Sequence, residues 1–157
     1  MTSALRWSRI LKILGHHVVI EEQYKGAPCD LMLALHAWRS AESIKMFNKL
    51  NPDLPIILAL TGTDIYNDIH ETPEAIHSLE LATCMMMLQP LGINELPLHV
   101  QGKVTTIFQS ARQTPGGHHP SSRFFNVSVV GHLRAVKDPM RTALAARLLP
   151  DSSNLQV

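Results

Sequence analysis

Three short runs of uninterrupted apolar residues constrain this chain more than anything else in it. They are "LMLAL" at the end of Cys29–Leu35, "PIILAL" at Pro55–Leu60 and "CMMML" within Thr83–Leu88. None alternates apolar with polar residues, as a strand with one wet face would. A strand that is apolar at every position is buried on both sides, which predicts a parallel sheet covered on both faces.

The segments between them carry helical spacing. Ala4, Leu5, Trp7, Ile10, Leu11 and Leu14 share one face, with Arg6, Arg9 and Lys12 outside it. Thr2 or Ser3 can cap this helix, and Gly15 can stop it. Ser40 is the expected cap of a helix to Leu50, with Ile44 and Phe47 inward. Thr72-Pro73-Glu74 reads as a cap, a proline in the first turn and an acid at the positive end. Pro90 opens a short helix to about Leu96. His17–Glu21 and Lys103–Phe108 are further strand candidates. Strands alternating with helices predict a doubly wound α/β sheet.

"RQTPGGHHPSSR", residues 112–123, is rich in Pro, Gly and Ser and has no period, which marks a linker. Behind it the pattern restarts. Phe125–Val130 is a strand, Asp138 and Pro139 open a helix with a stripe of Met140, Ala143, Leu144 and Leu148, and Asn154–Val157 starts another strand. Residues 1–111 are therefore expected to be one Rossmann-like domain lacking its first strand. Residues 124–157 are expected to be the start of a second, so that the chain is a piece of a longer two-domain protein. Without a first strand, poor solubility is expected too.

With 14 Lys+Arg against 13 Asp+Glu, the net charge of +1 gives no electrostatic case for nucleic acid or an anionic membrane. No run reaches the length of a membrane span. The two cysteines, Cys29 and Cys84, fit buried free thiols in a reducing cytoplasm. Of the nine histidines, the adjacent pairs His16-His17 and His118-His119 lack the spacing that puts two rings on one helix face. No metal site is expected.

Ligands of an open parallel sheet bind beyond the carboxyl ends of its strands. The residues there are His36 to Ser40, Thr61-Gly62-Thr63-Asp64, Gln89-Pro90, Gln109-Ser110 and, after the linker, Gly131 to Asp138. Gly62 permits close approach, and Thr61 and Thr63 supply hydroxyls and amides. Asp64 either accepts from a sugar hydroxyl or caps a local turn. His36 is either a hydrogen-bond partner and base or a satisfied buried histidine. Arg39 either faces an anion at a helix start or is surface charge. Arg134 and Lys137 in "VVGHLRAVKDP" suit a diphosphate beside helix amides, or form an ordinary basic loop.

"VVGHLRAVKDP" resembles the turn that opens the donor-binding domain of GT-B glycosyltransferases. Together with "ALRWSRIL", "CDLMLALHAWRSA", "ALTGTDIY", "SLELAT" and "LQPLGINELP" it resembles, more narrowly, the selenosugar synthases of selenoneine biosynthesis. The resemblance covers nearly the whole chain. It implies transfer of a sugar from a nucleoside-diphosphate sugar, of the UDP class, to selenophosphate, with neither metal nor other cofactor. It assigns His36 and Asp64 to catalysis and Thr61, Gly62, Thr63 and Arg39 to the acceptor. Lys137, Arg134 and His132 fall to the donor phosphates, His132 standing where the wider class has arginine. The competing readings are a GT-B transferase acting on an ordinary hydroxyl and a non-catalytic flavodoxin-like binding module. As an incomplete enzyme, this polypeptide alone is expected to make no selenosugar from a UDP-sugar and selenophosphate. Mass-spectrometric detection of that product would overturn the expectation.

Overall fold

In a computed structural model, the described residues are 2–111, 115–117, 121–131, 133, 137–150 and 152–157. The chain divides into two compact units, Met1–Ala111 and Arg112–Val157.

The first unit opens with α1 (Thr2–Ile13). Ser3 thus lies inside the helix rather than ahead of it. Ala4, Trp7 and Leu11 are half-buried and Ser8 is buried, whereas Leu5, Ile10 and Leu14 of the expected stripe are exposed. Gly15 ends the helix at φ 93°, where His16 N–H reaches Leu11 O (3.0 Å) and Gly15 N–H reaches Lys12 O (3.1 Å). Those paired bonds, closed through a left-handed glycine, satisfy carbonyls the helix would otherwise leave open.

Four parallel strands follow: β1 (Met32–Leu35), β2 (Ile56–Leu60), β3 (Cys84–Met87) and β4 (Val104–Thr106). α2 (Ala41–Leu50) links β1 to β2. A π-helical turn (Asp64–Asp68), a short α3 (Ile69–Glu71) and α4 (Pro73–Leu81) link β2 to β3. A 3-10 turn (Pro90–Glu95) and α5 (Leu98–Gln101) lead to β4. Neither expected cap acts as one. The Ser40 hydroxyl donates to Leu35 O (2.8 Å), and the Thr72 hydroxyl donates to Asp68 O (2.6 Å).

The strand order is β1-β2-β3-β4, with Met32 opposite Ile56, Ile57 opposite Cys84 and Met85 opposite Val104. The expected parallel α/β sheet is present; the reversal of order that makes a sheet doubly wound is not seen among the described residues. A reversal needs a strand on the far side of β1. The segment expected to supply a second strand, His17–Glu21, is unpaired and mostly exposed.

Right-handed crossovers in a sheet that grows in one direction put the connecting helices on one face. Ile56, Leu58, Leu60, Met85 and Met87 point to that face, where Ile44 and Phe47 of α2, Ala75 and Leu79 of α4 and Val100 of α5 join them in one buried cluster. On the opposite face Ala59 is fully buried, but Leu33, Leu35, Ile57, Cys84 and Met86 around it are only half-buried. The expectation of a sheet sealed on both sides therefore holds in full for one side and in part for the other. Cys29 lies ahead of β1 and is exposed, contrary to its expected burial, while Cys84 is half-buried. Partial desolvation of its sulfur pushes the Cys29 pKa up, and the charges of Asp30 and Glu21 push the same way.

The second unit pairs β5 (Phe125–Asn126) with β6 (Leu155–Gln156) in parallel around α6 (Arg141–Ala146). Its helix begins two residues beyond the expected Pro139. The Asp138 carboxylate pairs with the Arg141 side chain instead of capping an amide.

Phe47 is fully buried and meets Tyr24 edge-to-face, with ring centroids 5.3 Å apart. Emptying that space is expected to cost about 3–5 kcal/mol in Phe47→Ala. Urea denaturation checks the figure, and a loss below about 1 kcal/mol would place Phe47 outside the main core.

Candidate functional site

β1 delivers His36 at its carboxyl end. Its N–H extends the ladder to Ala59 O (3.0 Å), but its backbone then turns at φ 84°. That conformation is uncommon outside glycine and strained by about 1–3 kcal/mol. It turns the following loop back, so Ser40 N–H reaches His36 O (3.1 Å) and Arg39 N–H lies 3.4 Å from His36 Nδ1. The other ring nitrogen, Nε2, lies 3.2 Å from Thr63 Oγ1 and 3.3 Å from Asp68 Oδ2. A backbone N–H can only donate, so Nδ1 accepts, and the neutral ring carries its proton on Nε2. That proton points at Asp68 and Thr63. The ring is buried, with both nitrogens engaged.

β2 delivers the second loop. Asp64 is fully buried, and its carboxylate accepts from Thr61 N–H (2.9 and 3.0 Å), Gly62 N–H (2.7 Å), Ile65 N–H (3.2 Å) and, across the sheet, Ala37 N–H (3.4 Å). Of its two expected roles, this is the local one, extended to a neighbouring loop. Both oxygens are occupied by backbone, and none is left for a sugar hydroxyl. Gly62 takes φ 132°, which L side chains rarely adopt, and that shape lets two successive amides face one carboxylate.

The chain then makes a single π-helical turn, in which Ile69 N–H bonds back to Asp64 O. Such turns shift the phase of the side chains that follow and recur at functional sites. Here Asp68, half-buried, reaches His36. Tyr66, in the same turn, stays exposed and accepts a hydrogen bond from Gln89 Nε2, just beyond β3. Gln89 Oε1 in turn accepts from Leu91 N–H at 2.9 Å.

The structure thus brings His36, Thr61, Gly62, Thr63 and Asp64 together at the tips of β1 and β2. The Arg39 side chain is exposed, and the residue touches the site through its backbone amide. Ser110, beyond β4, accepts from Arg6 Nη2 of α1 at 2.8 Å. Lys137 is exposed in the second unit; its expected companions His132 and Arg134 lie outside the described residues.

Sequence reasoning missed Asp68 and passed over Tyr66. The visible signal was Asp64 and Asp68 four apart in "TGTDIYND", which fits one face of a helical turn. Two shallow hollows lie elsewhere, one of 410 Å³ among His70, Thr72 and His77 and one of 200 Å³ among Glu42, Lys45 and Glu74; neither includes a strand-tip residue. Among the described residues no three His, Cys, Asp or Glu converge as a metal-ligand set. Comparison with protein-family models and with curated proteins finds no match.

If Asp64 is the clasp of the two loops, Asp64→Asn should destabilise the fold by about 2–4 kcal/mol, because an amide offers one acceptor where the backbone presents four donors. Denaturant titration reads this. Native stability in D64N would show that the carboxylate is not holding the loops.

Proposed function

We propose that this chain belongs to a GT-B glycosyltransferase that moves a sugar from a nucleoside-diphosphate sugar, of the UDP class, to selenophosphate. Residues 1–111 are read as its acceptor-side portion and 124–157 as the opening of its donor-binding portion. The resemblance of the sequence motifs motivates the reading. The observation that carries it furthest is the engagement of both His36 nitrogens. A hydroxyl acceptor needs a base with an open lone pair. Selenophosphate is already anionic and needs placement rather than deprotonation.

The step is substitution at the anomeric carbon. Selenium forms the new bond to carbon, and the carbon–oxygen bond to the diphosphate breaks. The nucleoside diphosphate leaves with that electron pair. Lys137, Arg134 and His132 are assigned to offset its charge in place of a metal. Thr61, Gly62, Thr63 and Arg39 are assigned to the acceptor side. His36 is read as holding Thr63 and the Arg39 amide in place rather than acting as a base, and Asp64 as holding the loops that carry these groups. A cytoplasmic setting goes with this reading.

One observation favours the hydroxyl-acceptor alternative. Asp68 lies 3.3 Å from His36 Nε2, as a carboxylate that orients a catalytic base would. For that role Nδ1 would have to give up Arg39 N–H and face the acceptor.

Calorimetric titration of the chain with selenophosphate tests the proposal. Binding is expected, weakened about tenfold in His36→Ala, because the contacts by which His36 holds Thr63 and the Arg39 amide in place are lost. A wild-type chain indifferent to selenophosphate and thiophosphate, or H36A with native affinity, would defeat it.

A further inference from the structure

Hydrogen-bond direction along the strand-tip rim can be worked out from its fixed donors. Leu91 N–H can only donate, so the atom of Gln89 that meets it is the amide oxygen. The other end of Gln89 is then NH₂, which donates to Tyr66. The Tyr66 oxygen is therefore an acceptor in this contact, and its own proton is left uncommitted among the described residues. The same logic applies at His36. Nε2–H is the donor there, so the Thr63 oxygen accepts and the Thr63 hydroxyl proton is likewise uncommitted.

The acceptors of the rim are, by contrast, taken. Asp64 spends both oxygens on backbone amides. Asp68 Oδ2 faces His36, and its Oδ1 takes the Asn67 side-chain amide at 3.3 Å. What this loop offers is two exposed hydroxyl donors three residues apart, Thr63 just ahead of the π-turn and Tyr66 within it. Gln89 holds the exposed phenol in place from the neighbouring strand tip, which limits the entropy lost when a ligand binds. A rim that presents hydroxyl protons, with its carboxylate oxygens already engaged by amides and by His36, suits a ligand made of acceptors.

We infer that the Tyr66 hydroxyl, with Thr63, donates hydrogen bonds to a phosphate-type oxyanion at this rim, and that Gln89 is the positioning residue that keeps the Tyr66 proton turned outward. Within the function proposed above, on which this assignment of the ligand rests, that oxyanion is the phosphate end of the selenophosphate acceptor. Tyr66 and Gln89 then set the preference for an anionic acceptor over an alcohol.

The test is calorimetric titration of the wild-type chain, Tyr66→Phe, Gln89→Leu and the double variant, each with selenophosphate and with inorganic phosphate, alongside thermal melts. Y66F keeps the ring and removes the donor. It is expected to bind both anions about tenfold more weakly at an unchanged melting profile. Q89L is expected to weaken binding as well, and the double variant to be no weaker than Y66F, because Gln89 acts only through Tyr66. Native affinity in Y66F overturns the inference while leaving the proposed function standing, provided the wild type binds selenophosphate. Wild-type binding of inorganic phosphate alone, lost in Y66F, keeps the Tyr66 site and sinks the selenophosphate reading. A wild type that binds neither anion sinks both. Should Y66F melt early, native affinity in a folded Q89L variant is the overturning result.

Discussion

A single buried carboxylate sets the geometry of the polar edge of this protein. Asp64 gathers amides from its own loop and, through Ala37, from the loop after the neighbouring strand. Two irregular segments that would otherwise move independently are thereby fixed to each other. The cost of enclosing a charge is offset by the number of donors aimed at it. The approach of His36 to Thr63 and Asp68 joins the same two loops. The left-handed backbone at Gly62 and at His36 belongs to the same arrangement, since both loops must turn sharply to present amides and ring to the same place.

The sheet itself was legible where the sequence carries redundant signals. The apolar runs at Met32–Leu35, Ile56–Leu60 and Cys84–Met87 lie inside the expected segments, and Pro73 marks the start of the helix between the last two. The errors have physical reasons. His17–Glu21 has the composition of a strand, but a strand is a pairing, and composition does not supply the neighbour. Cys29 was drawn into the strand by the apolar run after it, although Pro28 and Asp30 flank it and pairing starts only at Met32. Strand order, on which a doubly wound arrangement depends, is encoded by no local pattern.

At the polar edge, position was readable but partnership was not. The residues following β1 and β2 do converge, as the rule for parallel sheets requires. Asp64 could be read in advance as either ligand-facing or turn-capping, and only counting its donors decides the matter. Asp68 was hidden because its approach to His36 depends on one extra residue in a helical turn, a phase shift that side-chain periodicity does not reveal. The direction of the Gln89–Tyr66 contact is likewise invisible until Leu91 N–H is seen to fix the amide.

The unreversed order of the four strands has a kinetic consequence. Each strand's partner is the next one along the chain, so every pairing closes only the short loop just made. Such a sheet can grow from its amino-terminal end as a nascent polypeptide emerges, without waiting for a distant segment to arrive. The loops bearing His36 and Asp64 would meet early in that sequence, and the edge they define would be in place before β4 is synthesised.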